Sequence, residues 1–282
     1  MDTIRFDLNA RKNIRYRDSY VAFLDVLGFK SLVFSKNQED KTKLEQYFGI
    51  VNEAIKYLKE IPAKSEIGSI IISDSIILSV NKSGEKEQDV NILRHLCVAV
   101  GLIQMHLAIK NIWLRGAISS GKAYFDSVNY QIVGPAYINA FLLEENSAIN
   151  PRVILDSKII DELNFSSSAE FIDDINKADY GGLNFTNWGS KILFEWSYPD
   201  GKPVTTIEND VPLFIDYLSP IAEKNGEELI LLIENVEKSI YKQTGTYKKY
   251  RWVVDYLKAV FHREMKNDNL IGGEPDFRLN NL

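Results

Sequence analysis

The sequence predicts an α+β fold in which an antiparallel-rich sheet carries helices on one face. Apolar runs typical of strands alternate with stretches whose apolar residues recur at helical spacing. The predicted order of elements is strand, helix, hairpin, helix, hairpin, helix, strand. An order containing two hairpins favours a layered α+β architecture over a doubly wound parallel sheet.

The first strand is predicted in the apolar run that begins at Tyr20 and ends at Gly28. A helix follows over 43–58, because its apolar residues fall on one stripe, and Pro62 is expected to stop it. The residues of that stripe are Leu44, Phe48, Val51, Ile55 and Leu58.

Two apolar runs at 67–72 and 76–80 then flank Ser73-Asp74-Ser75, which is typical of a hairpin. A second long helix is predicted over 89–110 from its repeating apolar residues. Strand-like runs at 112–119 and 122–134 follow this helix and form the second hairpin.

The rest of the chain is predicted to begin with a short helix after Gly134-Pro135 and a strand at 152–155. A less regular stretch continues to about residue 218, and two amphipathic helices follow around 226–242 and 246–264.

We therefore divide the chain into an N-terminal arm at 1–17, a main domain at 18–218 and a helical C-terminal extension at 219–282. The extension is expected to pack over the sheet rather than form a separate binding module. In that packing three aromatic side chains face inward: Trp252, Tyr256 and Phe261.

Composition narrows the classes of function. The net charge of −6 and the pI near 5.3 argue against a broad nucleic-acid-binding surface. No apolar run approaches the roughly 20 residues that span a bilayer, and the N-terminus lacks the pattern of a signal peptide, so no membrane association and a cytoplasmic location are expected. The single cysteine, Cys97, is interpreted as a core thiol, and the three histidines show no zinc-ligand spacing.

Two aspartates, Asp25 and Asp74, each lie in an apolar, strand-like run. A carboxylate in such surroundings loses hydration worth several kcal/mol unless a cation or strong hydrogen-bond donors replace the water. Two such sites suggest a shared metal ion.

Each aspartate also has an ordinary interpretation. Ser73-Asp74-Ser75 between two strands is common turn chemistry, with the side chain capping backbone N–H groups. For Asp25 this interpretation is weaker, because an acid just before a glycine that ends a buried strand lies where active sites collect ligand oxygens. Gly28 would let the following backbone approach a phosphate closely. Taken together, the two acids favour a site where carboxylates hold two divalent cations that bridge a triphosphate.

The segment from Gly116 to Ala123 resembles a phosphate-binding P-loop up to its last position. Ala123 stands where that loop needs a hydroxyl to reach magnesium, and the residues that follow look like a strand pair instead of a helix. The alternative for Gly121-Lys122 is a tight hairpin turn.

Several segments in order carry a more specific resemblance: Phe23–Phe29, Ser73–Ile77, Leu114–Gly121, Ile132–Glu144, Asn150–Ile154, Phe214–Leu218 and Lys249–Trp252. With them the chain resembles class III nucleotidyl cyclases, and more closely the bacterial pyrimidine cyclases of the Pycsar antiphage systems. The likeness extends over most of residues 20–260. It implies that 18–218 is a cyclase catalytic domain of the ferredoxin-like, palm-type α+β fold.

The resemblance also implies a metal site and a phosphate site. Asp25 and Asp74 would bind two Mg2+ or Mn2+ ions with the help of the Val26 carbonyl. The backbone N–H groups of Leu27, Gly28, Phe29 and Lys30 would hold the β- and γ-phosphates. Activation of the ribose 3′-hydroxyl and in-line attack on the α-phosphate would then yield a 3′,5′-cyclic nucleotide and pyrophosphate.

Two departures from the purine cyclases bear on the base. The lysine that stands four residues before the second metal aspartate is replaced by Ile70, and the acid three residues before the glycine of the following helix is replaced by Gln131. An amide can donate and accept hydrogen bonds, whereas an apolar Ile70 offers a purine nothing to bond. UTP or CTP is therefore the expected substrate, with UTP favoured.

The residues that stabilise the transition state in purine cyclases fall here at Ile138 and Leu142, and neither can stabilise phosphate charge. Asn139 would restore one of them in a register shifted by one residue. Arg115 is the best alternative cation, because its predicted strand lies beside the proposed site. A structural salt bridge is the other interpretation of Arg115.

The leading hypothesis is a metal-dependent cyclase that makes cUMP or cCMP in antiphage defence, with an effector encoded elsewhere. Class III sites are shared between subunits, so the resemblance implies a head-to-tail homodimer with sites at the interface. A second hypothesis is a nucleotide-binding sensor or scaffold that lost turnover. A third is a P-loop NTPase that depends on Lys122.

Overall fold

The computed structural model describes most of the chain, in these ranges: 11–60, 66–177, 179–180, 183–184, 191–194, 213–224, 226–241, 245–266 and 274–282. The first ten residues of the predicted N-terminal arm and the predicted helix stop at Pro62 lie outside these residues. Residues 11–16 are exposed and form no regular element.

The first half of the chain contains a β-α-β-β-α-β unit and a following hairpin and helix. Its elements are β1 (Arg17–Leu27), α1 (Phe29–Val33), α2 (Gln38–Lys59), β2 (Ile67–Ile72), β3 (Ser75–Asn81), α3 (Lys86–Ile109), β4 (Trp113–Asp126), β5 (Gln131–Val133) and α4 (Pro135–Asn146).

The second half contributes short strands and six helices among its described residues. These elements are β6 (Val153–Leu155), α5 (Lys158–Glu162), α6 (Ser168–Ile175), β7 (Asp179–Tyr180), β8 (Leu183–Asn184), β9 (Leu193–Phe194), β10 (Phe214–Ile215), α7 (Ser219–Lys224), α8 (Gly226–Ile240), α9 (Tyr247–Lys266) and α10 (Glu274–Asn280).

The main sheet has the order β2-β3-β1-β4-β6-β10-β9, with β5 paired to β4. The first four strands in this order are antiparallel to their neighbours, which is the arrangement of a ferredoxin-like β-α-β-β-α-β unit. Only β6 pairs in parallel, against β4, in the described part of this sheet. The predicted mixed α+β fold with an antiparallel-rich sheet is confirmed.

The prediction that helices cover one face of the sheet is wrong for α4. Along β1, side chains alternate between two apolar clusters: Tyr20 belongs to the large core that includes α2 and α3, while Phe23 belongs to a smaller cluster with Ala136 and Ala140 of α4. Both faces of the strand are therefore covered, which explains why its sequence is almost continuously apolar.

Helix α3 is the central helix of the large core. It is long and apolar enough to cross a membrane by length and composition, contrary to the expectation that no such run exists. Within this structure, however, 83% of its most apolar window is buried inside the protein. The sequence of a buried core helix is apolar on all faces, because no face of the helix contacts water.

Strand β4 corrects two expectations for the second hairpin. The predicted turn at Gly121-Lys122 is absent, because β4 continues through both residues, which pair with Ser19 and Asp18 of β1. The turn lies at 127–130, and β5 follows it. No helix begins after Lys122, so the geometry of a P-loop is also absent here.

The C-terminal helices share the large core with the sheet. Trp252, Tyr256 and Phe261 of α9 are buried, as predicted. The Tyr256 hydroxyl donates a hydrogen bond to Asp216 Oδ1 at 2.6 Å and accepts one from the backbone N–H of Tyr217 at 3.0 Å. These bonds tie α9 to the segment that follows β10, which fixes where the start of α9 lies.

Candidate active site

The candidate site is built at the end of β1, where the chain turns into α1. Gly28 is the residue of this turn and has a left-handed backbone conformation, with φ +75°. Open space surrounds the position a Cβ atom would take, so the backbone angle and not crowding favours glycine here. The turn gives β1 an abrupt end three residues after Asp25.

Asp25 lies between β3 and β4 in the sheet. It is directly opposite Ser75 on β3 and Arg115 on β4. Because directly paired residues project on the same side of a sheet, Asp25 and Arg115 share the face covered by α4. The Asp25 side chain is 21% exposed.

Asp74 lies in the two-residue turn that joins β2 to β3. Its neighbour Ser73 has φ +58°, and the turn is held from two sides. The Asp74 carbonyl accepts a hydrogen bond from Val26 N–H at 3.1 Å, while the Ser73 carbonyl accepts one from the Tyr47 hydroxyl at 3.3 Å. The turn is thereby anchored against the end of β1, and Asp74 stands next to the residue that pairs with Asp25.

The two carboxylates interact electrostatically. The pKa of Asp25 is raised, chiefly by burial; Arg115 opposes this shift and the charge of Asp74 adds to it. The pKa of the Tyr47 hydroxyl is also raised, chiefly by burial and then by Asp74 and Asp25. Negative charge is therefore concentrated where β1, the β2–β3 turn and α2 meet.

Arg115 compensates part of that charge and also contacts a third acid. Its Nε atom lies 3.3 Å from Asp25 Oδ2 and 2.7 Å from Glu144 Oε1, and the Glu144 side chain is only 5% exposed. The Nε–H group of Arg115 donates a hydrogen bond to Asp25 Oδ2. Glu144 Oε1 accepts no hydrogen bond from the residues that are described. The salt-bridge interpretation of Arg115 thus holds in this structure.

Glu144 is therefore an acid in an unfavourable environment. Burial raises its pKa, Arg115 lowers it, and the nearby charge of Asp25 raises it further. Helix α4 places Glu144 against the sheet because Ala136 and Ala140, two turns and one turn earlier, allow close packing on Phe23.

A second cation, Lys249, comes from the first turn of α9. Burial lowers its pKa and Arg115 lowers it further, while Asp25 and Glu144 act in the opposite direction. The predicted C-terminal extension therefore contributes a charge to the candidate site.

A cavity of about 290 Å³ opens beside Lys249 and the Gly28 turn. It lies between the β1–α1 turn, α2 and the start of α9. Its walls include Leu27, Gly28, Ser31, Lys43 and Lys249. A cavity of this size holds part of a nucleotide, since complete small-molecule sites commonly measure 300–1,000 Å³.

The donor set suits a divalent metal that is completed by substrate. Among the described residues, no group of three or more His, Cys, Asp or Glu side chains is close enough to hold a metal ion by itself. Mg2+ is commonly bound by one or two carboxylates together with substrate phosphates and water, and Asp25 and Asp74 provide that number.

The residues predicted to bind phosphate lie in different environments. Leu27 and Gly28 line the cavity, and Lys30 is exposed on α1. The Phe29 side chain is buried, with its ring 5.5 Å from that of Tyr47. Only the backbone of Phe29 is therefore available to a ligand.

Of the two residues predicted to read the base, Gln131 does not meet the aspartate pair within one chain. Ile70 is buried in the smaller apolar cluster with Phe23 and Ile77. Gln131 is exposed and pairs with Asp126, eleven positions along β4 from Arg115, which is about 35 Å at 3.3 Å per residue.

The residues considered for transition-state stabilisation lie on α4. Asn139 is partly buried there, and Ile138 and Leu142 are 47% and 45% exposed. The last two point away from Arg115, because Glu144, on the inner side of the same helix, is the residue that contacts it.

Three residues of the site escape the sequence reasoning: Tyr47, Glu144 and Lys249. Tyr47 occupies an apolar helix position and carries no local signal. Lys249 lies more than 220 residues from Asp25, in a segment that carries the family resemblance without indicating a role for this lysine. Glu144 does carry a local signal, because acidic residues are rarely found on the apolar face of a helix.

Comparisons with known proteins return structural matches alone: no family model and no curated protein matches the chain. The similar solved structures include cyclase domains. A bacterial light-regulated adenylyl cyclase has 16% identity and a TM-score of 0.36, covering 51% of this chain and 78% of that one.

Two further structures are similar at the same level. The guanylyl cyclase domain of a fusion protein from the aquatic fungus Blastocladiella emersonii has 11% identity and a TM-score of 0.38, covering 53% of this chain and 87% of that one. A class III adenylyl cyclase-like ATP-binding protein from Pseudomonas aeruginosa has 12% identity and a TM-score of 0.38, covering 55% and 36%. Likeness at this level carries no inference about activity, substrate or partners.

Proposed function

We propose that the protein is a metal-dependent pyrimidine nucleotide cyclase that converts UTP, or CTP, to the 3′,5′-cyclic monophosphate and pyrophosphate. The observation that carries the proposal is the meeting of Asp25 and Asp74, 49 residues apart in sequence, beside the Gly28 turn. The resemblance of the surrounding segments to pyrimidine cyclases supports the choice of reaction.

Asp25 and Asp74 are the proposed ligands of two Mg2+ or Mn2+ ions, with the Val26 carbonyl as a further donor. When bound, such ions neutralise phosphate charge and lower the pKa of the ribose 3′-hydroxyl. In the proposed reaction the ribose 3′-hydroxyl loses its proton to solvent and its oxygen bonds to the α-phosphorus. The bond from that phosphorus to the bridging oxygen breaks, and pyrophosphate leaves.

Arg115 is the proposed cation for the negative charge that develops on the phosphate. Its Nε atom lies 3.3 Å from Asp25 Oδ2, so a phosphate bound beside Asp25 is within reach of the guanidinium group. Glu144 Oε1 lies 2.7 Å from the same Nε atom and adds a second ion-pair contact. In this proposal Arg115 supplies the cation, because Ile138 and Leu142 stand at the α4 positions that hold the transition-state residues in purine cyclases.

The preference for a pyrimidine is proposed from Ile70 and Gln131. The apolar Ile70 cannot read a purine edge, and the amide of Gln131 can both donate to and accept from uracil or cytosine. We favour uracil.

A homodimer is part of the proposal, because Gln131 lies on β5, which does not reach the aspartate pair of its own chain. A second copy, placed head to tail, would bring Gln131 to that pair. Exposed apolar side chains on α4 and the β4–β5 hairpin support such an interface. They are Val128, Tyr130, Val133, Ile138, Phe141 and Leu142, which are 36–81% exposed.

The proposal is tested by incubating the purified protein with each of the four NTPs and Mn2+ and analysing the products by mass spectrometry. A cyclic pyrimidine nucleotide is expected, and its formation should disappear in Asp25→Asn and Asp74→Asn. Asp18→Asn is the matched control, since Asp18 is exposed on the same strand. No cyclic product from any NTP would refute the proposal.

A nucleotide-binding sensor without turnover is the second candidate, and the apolar Ile138 and Leu142 favour it. Thermal-shift titration with the four NTPs separates the two functions. Stabilisation by a nucleotide without product formation identifies the sensor, whereas turnover that depends on Asp25 excludes it.

The cellular role we propose is the production of a cyclic pyrimidine messenger in the cytoplasm for antiphage defence, acting on an effector encoded elsewhere. Phage plating efficiency on bacteria that carry the neighbouring genes, with and without Asp74→Asn, tests it. Equal protection by both forms would argue against a role for the product.

A further inference from the structure

Lys249 is held at the edge of the candidate site by the packing of α9. One and two turns further along this helix, buried Trp252 and Tyr256 pack on Phe214 of β10, with ring centroids 5.4 and 5.2 Å away. Tyr256 is also hydrogen-bonded to Asp216. The first turn of α9 is therefore fixed relative to the sheet, and Lys249 projects from a rigid element.

Lys249 lines the cavity of about 290 Å³ that Gly28 and Lys43 also line. The charge of Lys43 is shared with acids of its own helix, because its Nζ lies 3.3 Å from Glu39 Oε1 and 3.8 Å from Asp40 Oδ1. Lys249 forms no ion pair within 4 Å in the part of the chain that is described. Of the two lysines that line this cavity, Lys43 is paired with acids and Lys249 has no ion-pair partner among the described residues.

A partly buried lysine that forms no ion pair within 4 Å among the described residues is costly to the folded protein unless an anion joins it. The anion must be small, strongly charged and able to extend from the Gly28 turn toward α9. The phosphate chain of a nucleoside triphosphate has these properties, and a lysine binds phosphate as a point charge on a flexible stem.

We propose that Lys249 is a substrate-binding residue that contacts the phosphate chain of the nucleotide, and that the adjoining cavity receives the pyrophosphate leaving group. This inference rests on the proposed function. It makes the start of α9 part of the active site, although α9 lies in the C-terminal extension and 224 residues separate Lys249 from Asp25.

The test measures binding of tripolyphosphate and of pyrophosphate to the full chain by isothermal titration calorimetry in the presence of Mn2+. Lys249→Gln should weaken binding of both by roughly 10- to 100-fold, as loss of one charge-assisted contact does. Lys249→Arg should retain most of the affinity. Lys248→Gln is the matched control, because Lys248 is exposed on the same helical turn and does not line the cavity.

The outcomes separate this inference from the proposed function. Equal affinity of wild type, Lys249→Gln and Lys248→Gln overturns the role of Lys249, even if the protein cyclises a nucleotide. Binding of tripolyphosphate that depends on Lys249, without cyclic product from any NTP, supports the phosphate site and refutes the cyclase. Equal weakening in the Lys248 and Lys249 variants, or an Arg variant as weak as Gln, also overturns it.

Discussion

Replacement of Arg115 by methionine should destabilise the protein by leaving two acids without their counter-ion. In the structure Arg115 is the ion-pair partner of Asp25 and of Glu144, whose side chains are 21% and 5% exposed. Removing one partner of a fully buried pair costs about 3–5 kcal/mol. Solvent screens part of that cost here, because Arg115 is itself 23% exposed, so we expect about 2–3 kcal/mol.

The loss of stability in Arg115→Met should depend on pH, in a direction set by the carboxyl groups of Asp25 and Glu144. Burial already raises the pKa of Asp25 and of Glu144, and loss of Arg115 raises both further. A carboxyl group whose folded-state pKa exceeds its unfolded value is penalised once it ionises. Stability is therefore lost as pH rises from the unfolded pKa through the folded one, and it is regained on acidification through the same interval.

Urea unfolding followed by tryptophan fluorescence at pH 5 and pH 8 measures both effects. Arg115→Met should lose more stability at pH 8 than at pH 5, and adding Glu144→Gln should restore part of it. Arg17→Met is the control, because its ion pair with Glu66 is 63% and 68% exposed and should contribute less than about 1 kcal/mol. A loss below about 0.5 kcal/mol at both pH values would refute the reasoning.

Three further predictions concern the supports of the site. Tyr256→Phe should cost about 1–3 kcal/mol in urea unfolding, because Asp216 loses a buried 2.6 Å hydrogen bond; a loss no larger than that of an exposed tyrosine would contradict this. Gly28→Ala should cost about 1 kcal/mol and Gly28→Asn less, since φ is +75° and the space is open; equal stability of both variants would argue against backbone strain. Mn2+ should raise the melting temperature of wild type but not of Asp25→Asn or Asp74→Asn, as measured by scanning calorimetry, and an equal rise in all three would place the metal elsewhere.

Much of the fold follows from local pattern. The apolar runs, the helical stripes and the Ser73-Asp74-Ser75 turn were sufficient to predict the antiparallel sheet, the long helices and the placement of the acids at strand ends, because these features depend on neighbouring residues. The unbroken course of β4 through Gly121 was not predictable in this way, since glycine marks a turn locally and only the pairing with β1 keeps the strand extended.

The sequence alone determined the pair of aspartates, their positions at the ends of strands and the chemistry that two carboxylates beside a glycine turn can support. Only the tertiary structure decided which charges surround them. Arg115 meets Asp25 through strand register, Glu144 arrives on α4 across the sheet, and Lys249 arrives on α9 from the far end of the chain. Contacts of this kind depend on how distant segments pack, and no spacing along the chain encodes them.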